Sequence, residues 1–140
     1  MSIAISPVLA LRVAIRAHCA GDAVLAQLMS GAIRLYDEPP RGAEPVYALF
    51  GPCELVDWST SSDRGHEQNL TIVVWAAPGS AASGLSAADR LSVLLDEAQP
   101  ALAGHRLVSL AVTGLDTARD DKTGLARTTL RLRAVTEVAT

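Results

Sequence analysis

Two periods divide the chain. From Glu67 to Ala76 the apolar residues Leu70, Ile72 and Val74 recur at every second position, the signature of a strand with one buried face. The other side of that strand carries Asn69, Thr71, Val73 and Trp75, which is too apolar for a face that simply meets water. Two later stretches alternate in the same way. In Arg106–Thr113, Val108, Leu110 and Val112 are expected in the core, with Leu107, Ser109, Ala111 and Thr113 opposite. In Arg127–Thr136, Leu130, Leu132 and Ala134 alternate with Thr129, Arg131, Arg133 and Val135. Lys122-Thr123-Gly124 between them predicts a hairpin turn. Val46–Phe50 reads as another strand. Gly51-Pro52 bends or bulges it, because proline cannot donate to a ladder, and Cys53–Trp58 continues in extended form.

The first third follows helical spacing instead. Ser6-Pro7 opens a helix, with proline in the first turn where its missing N–H costs little, and Val8, Leu11, Ile15 and His18/Cys19 follow. Gly21-Asp22 breaks it, and Asp22 is placed to cap a second, short helix over Val24–Met29 that stops at Ser30-Gly31. Ile33–Tyr36 is a short extended piece, and the proline-rich Asp37–Pro45 segment DEPPRGAEP is an exposed loop. A third helix lies between Ser80 and Ala98, held by Leu91, Leu94, Leu95 and Ala98. Its start is either Ser80 or Ser86, where Ser86 and Asp89 resemble a capping box.

The predicted order is α-α-β-β-β-α-β-β. It gives an α+β fold in a single domain over residues 1–140: a mostly antiparallel sheet of about four to five strands, with two N-terminal helices and one central helix packed on one face. The second face is expected to pack on another copy of the protein or on a long loop of the chain.

Composition adds constraints. The chain has 140 residues, 49% of them hydrophobic and 19% charged, which suits one globular core. Aromatics make up 4%, so the core rests on Leu, Val, Ile and Ala. The net charge of −3, from 12 basic and 15 acidic residues, argues against a general nucleic-acid binder. It leaves room for an acidic lumen through which DNA slides. Cys19 and Cys53 form neither a disulfide framework nor a zinc pattern. No apolar run approaches the ~20 residues of a membrane-spanning helix. MSIAISPVLALRV lacks the basic start and cleavage site of a signal peptide, so synthesis inside the cell is expected.

Catalytic patterns are scarce. His18 and Cys19 are neighbours that a helix points about 100° apart. Asp63, His66 and Glu67, with His105, match no metal-ligand spacing and read as a charged loop. APGSAASGLSAAD lacks the ending of a phosphate-binding loop. Arg127, Arg131 and Arg133 share a strand, two of them expected on the same face, in cross-strand or inter-subunit ion pairs. Trp58 is either a lid on the core or an interface anchor. No catalytic residue, cofactor or metal is assigned.

The order of several pieces resembles a known family. LALRVAIRAHCAGDAVLAQLMSGAIRLYDEPP opens the chain. ELVDWST, HEQNLTIVVWA and a helix occupy its centre, and ALAGHRLVSLAV and LARTTLRLRAVTE close it. Nearly end to end, this layout is similar to the tail-terminator or tail-completion proteins of long-tailed bacteriophages and gene-transfer agents. The resemblance implies a structural protein without catalytic residues. It implies a homohexameric ring at the head-proximal end of the tail tube that stops tube growth and meets the head–tail connector. DNA would pass through its lumen without sequence-specific binding, and no membrane would be involved. The protein would be made in the bacterial cytoplasm and assembled into the tail of a virion or gene-transfer-agent particle. A stopper component of the connector, or a small-ligand or enzymatic α+β domain, are the other readings. Candidate interface residues are Trp58, Asp63, Arg64, His66, Val73, Trp75, Leu107, Arg119, Asp121 and Lys122.

Overall fold

A computed structural model describes residues 5–139 of the chain. Helix α1 spans Pro7–Cys19, and the Ser6 hydroxyl accepts from the Leu9 N–H at its start. Helix α2 spans Ala23–Leu28, capped by Asp22 accepting from Leu25 N at 2.8 Å. It ends where Ser30 and Gly31 take positive φ, 66° and 106°, a region in which glycine is unstrained. Strand β1 is the pair Leu35–Tyr36, β2 spans Tyr47–Asp57, and β3 spans Gly65–Ala76. Helix α3 spans Ala81–Leu95. Strand β4, His105–Arg119, and strand β5, Ala126–Val138, are longer than their apolar alternation alone marks out.

One sheet holds all five strands in the order β1-β2-β3-β5-β4. Apart from the parallel β1–β2 contact, every pairing is antiparallel. The last strand, β5, inserts between β3 and β4, so it is covered on both flanks and on its inner face. Leu130, Leu132 and Ala134 are accordingly buried. They meet Leu70, Ile72 and Val74 of β3 together with Leu91 and Leu95 of α3, and Leu11 and Ile15 of α1 complete the same core. Helix α3 starts at Ser80, not Ser86. It carries Gly84 because a Cβ there would stand 3.0 Å from the Ala76 Cβ, where the helix crosses the end of β3.

The expected bulge in β2 is present: the register with β3 shifts between Phe50 and Cys53. It brings Gly51 over the sheet's outer face. A Cβ at Gly51 would stand 2.5 Å from Thr71 Oγ1 and 3.0 Å from Val73 Cγ2, and the Thr71 hydroxyl donates to Pro52 O at 3.0 Å. The protein therefore covers part of Val73 with its own backbone. Gly51→Ala is expected to cost about 1–3 kcal/mol by overpacking; chemical denaturation reads this as a lower midpoint at unchanged slope.

Strand β4 departs from the alternation. Register shifts between Leu107 and Ser109, and again between Val112 and Gly114, insert one extra residue each. A bulge moves every later side chain to the other face relative to simple counting. Leu107 is therefore buried in the core, not on the outer face, and Val108, expected inside, is 47% exposed.

A salt bridge ties the helices together. Arg90 of α3 donates through Nε and Nη2 to the Asp22 carboxylate at 2.9 and 2.7 Å. The Arg90 hydrogen bonds, and then the Leu25 N–H, hold Asp22 at a pKa of about 2. An unfolded Asp titrates near 3.9. The folded form thus gains from ionisation, with the gain complete above about pH 4 and lost as pH falls toward 2. Asp22→Asn is expected to lower the melting temperature at pH 7 and to flatten its fall between pH 4 and pH 2, as read by thermal scans across that range.

Candidate interaction surface

With α3 on one face, the opposite face of the sheet carries a mixture of exposed and half-buried side chains, with Val135 buried among them. Pairing places Tyr47, Leu49, Glu67, Val73, Trp75, Val135, Arg127, Arg131 and Arg133 along it. All three arginines of β5 share this face, one more than expected. Two are paired across strands: Arg131 Nη2 with Asp116 Oδ1 at 3.0 Å, and Arg133 Nε with Glu67 Oε1 at 2.5 Å. The Arg133 guanidinium also lies 5.2 Å from the Trp58 ring centroid, a cation–π contact that orients the exposed indole. Trp75 stands between Tyr47 and Arg127 in the pairing and is half-buried. The face is thus neither a wet polar surface nor a closed core. It is an apolar floor crossed by ion pairs.

Two loops project from the sheet. In the first, Thr60 N donates to Asp63 O at 2.9 Å and Ser59 Oγ donates to Asp57 Oδ1 at 2.6 Å. That hydroxyl is the main reason the Asp57 carboxyl lies below its ordinary pKa. Asp63 and Arg64 remain exposed at this turn. The second loop is the β4–β5 tip. Thr123 donates through N and Oγ1 to Asp120 Oδ2 at 3.0 and 2.6 Å, and Gly124 closes the turn at φ 73°. Arg119, Asp121 and Lys122 point out from it, exposed. The proline-rich loop is anchored too. Arg12 and Arg16 of α1 lie 3.7 and 3.6 Å from the Asp37 carboxylate, and Arg34 Nη1 donates to Glu44 O at 3.0 Å.

His66 does not join Asp63 and Glu67. As strand neighbours, His66 and Glu67 point to opposite faces, and Glu67 is held by Arg133. His105 turns its Nε2 to Ile5 O at 2.7 Å. No group of three or more potential metal ligands occurs among the described residues. Cys19 is buried, with its thiol pushed up to about 11 first by burial and then by Asp22, so it stays protonated at neutral pH. A groove of about 450 Å³ between α1 and β1 is lined by Val13, Arg16, Ala17, Ala20, Ile33 and Leu35, without convergent polar groups. Among the described residues no helix is long and apolar enough to cross a membrane.

Sequence reasoning missed a polar patch beneath the start of α1. Gln68 is fully buried on the inner face, and its Nε2 donates to Pro7 O at 3.1 Å and to Thr136 Oγ1 at 3.3 Å. The available signal was its place in the alternation, two residues before Leu70.

The distinctive features of this α+β domain are thus a half-apolar sheet face and anchored charged loops. The chain belongs to the tail completion protein gp17 family, whose model matches residues 13–137. It is a structural protein of phage-like tails, and the family is not one of enzymes. Among solved structures it is similar to a chain of the virion of a native gene transfer agent particle, at 30% identity and a TM-score of 0.86. The match covers 96% of this chain and 99% of that one. Nothing among curated proteins matches.

Proposed function

We propose that the protein closes the head-proximal end of the tail tube as a homohexameric ring, stops tube polymerisation and joins the tail to the head connector. The observation that carries this reading is the match along nearly the whole chain to a component of a gene-transfer-agent virion, with family membership beside it. A ring needs two different surfaces on each subunit that meet by rotation. Trp58, Val73 and Trp75 give each subunit an apolar contact surface, and the charged loops at Asp63-Arg64 and Asp121-Lys122 face the tube and the connector. His66 and Arg119 flank these loops. DNA passes through the lumen without sequence readout, in keeping with a net charge of −3.

The test is tube growth in vitro. Cognate tube protein polymerised with this protein present should give tubes that stop growing, with the added chain at one end by gold labelling. Unchanged tube lengths and no end labelling overturn the reading, and binding only to the connector favours a stopper role instead. Trp75→Asp should lower subunit stability or oligomer size by more than the ~0.5 kcal/mol of an ordinary surface change, read by denaturation and light scattering.

A further inference from the structure

The two edges of the sheet are each covered over one half and open over the other, and the open halves lie at opposite ends. On β2, Ala48 N donates to Arg34 O at 2.7 Å, so β1 covers the edge near Tyr47. Past the bulge, Trp58 N donates to Gly65 O at 2.9 Å. By alternation Val56 and Glu54 also face β3, which turns the peptide groups of Cys53, Leu55 and Asp57 away from the sheet. On β4, Glu97 N donates to Leu110 O and Val112 N donates to Asp96 Oδ1, both at 2.9 Å, so the loop after α3 covers that edge. Further along, Asp120 N donates to Leu125 O at 2.9 Å. The same alternation turns Leu115, Thr117 and Arg119 outward. Among the described residues, no main-chain partner meets either open stretch. Unpaired ladders of this kind template a further strand, and proteins ordinarily cover or blunt them. Here the covering stops at a diagonal.

We propose that the open stretches of β2 and β4 pair between copies where they overlap, Cys53–Leu55 of one copy with Leu115–Thr117 of the next, continuing one antiparallel sheet from subunit to subunit. This rests on the ring reading above and specifies its seam. Three observations favour a second copy as the occupant. First, β2 runs antiparallel to β3, and β4 runs parallel to β3 because both are antiparallel to β5. A following copy's β2 therefore meets β4 antiparallel, as every neighbouring pair among β2–β5 already does. Second, Leu55 and Leu115 lie on the same helix-covered side of the sheet and are 43% and 36% exposed, so pairing sets two uncovered leucines together.

Third, the required stagger fits closure. Within one subunit Leu55 stands in the row of Gln68, Ala134 and Leu110, whereas Leu115 stands in the row of Leu130. Setting Leu55 opposite Leu115 shifts the next copy by the step from Ala134 to Leu130 on β5. That is about 13 Å of rise at ~3.3 Å per residue, over four strand spacings totalling about 19 Å. The resulting slope of about 35° lies at the low end of the strand tilt that closed barrels need. Edge pairing without this offset would clash with β1 and with the loop after α3.

Native Cys53 supplies the test. Leu55 opposite Leu115 places Thr117 opposite Cys53, with Cα atoms ~5.5 Å apart in a hydrogen-bonded pair, within disulfide reach. Particles assembled with Thr117→Cys, and separately with Arg119→Cys to cover a register two residues further on, are oxidised and run on a non-reducing gel. Covalent multimers up to the full ring are expected from one of the two variants. They should be absent when Cys53→Ser is added. Thr117→Pro is the second arm. It removes an N–H that faces away from β5, so the subunit should keep its melting temperature while assembly fails. Rings that form normally with Thr117→Pro, and chains that stay monomeric on the gel with both cysteine variants, overturn the seam but leave the ring reading standing. Particles carrying the chain as isolated, non-ring copies overturn both.

Discussion

Leu107→Ala is expected to cost about 2–5 kcal/mol, the range for truncating a buried leucine, while Val108→Ala should stay within about 0.5 kcal/mol. Simple alternation assigns these residues the other way round. The bulge between Leu107 and Ser109 is the reason for the reversal: Leu107 sits opposite buried Thr136 and within the core, and Val108 is the extra residue that faces out. The total stability of a domain this size is of order 5–15 kcal/mol, so the Leu107 change consumes a large share of it. Urea titration with both variants at one pH reads the difference as a shift in midpoint at constant slope. Equal effects from the two changes would mean that the bulge is absent.

Reversing charge on the two projecting loops is expected to have the largest functional effect. The changes are Asp63→Lys with Arg64→Glu, and Asp121→Lys with Lys122→Glu. Among the described residues none of these side chains forms a salt bridge, and the turns are built by Thr60, Ser59, Asp120 and Thr123 instead. The subunit should therefore fold as before. A contact worth only ~0.5 kcal/mol per copy, repeated around the proposed ring of six, would total about 3 kcal/mol, which is over a hundredfold in a joining equilibrium. Tails of uncontrolled length, or tails detached from filled heads, should follow in a deletion strain complemented with the variant. Normal length and normal joining with both loops reversed would shift recognition to the Asp37–Pro45 loop.

Element order and type were legible because each element carries its own local signal. Ser6-Pro7 and Asp22 cap helices as their side chains suggest, Gly51-Pro52 bulges β2, and Thr123-Gly124 turns the last hairpin. The two bulges of β4 were not legible. Neither contains a proline, and Leu107, Val108 and Leu110 fit a core face in either phase. The insertion of β5 between β3 and β4 is likewise a matter of long-range pairing rather than of local pattern. Of the interaction surface, the residues of the outer face were readable from Val73 and Trp75, since wet faces seldom carry them. What covers them was not. Gly51 over Val73 and the Arg133–Trp58 stack depend on where the bulge and the strand ends fall in space. The diagonal pattern of open edges was invisible for the same reason, because it arises from where β1 and the loop after α3 stop.

Electron microscopy of particles from a strain lacking this protein tests the central claim most directly. The account predicts filled heads without tails beside tubes of unregulated length, with both defects repaired when the protein is restored. Tails of normal length joined to filled heads in its absence would contradict it.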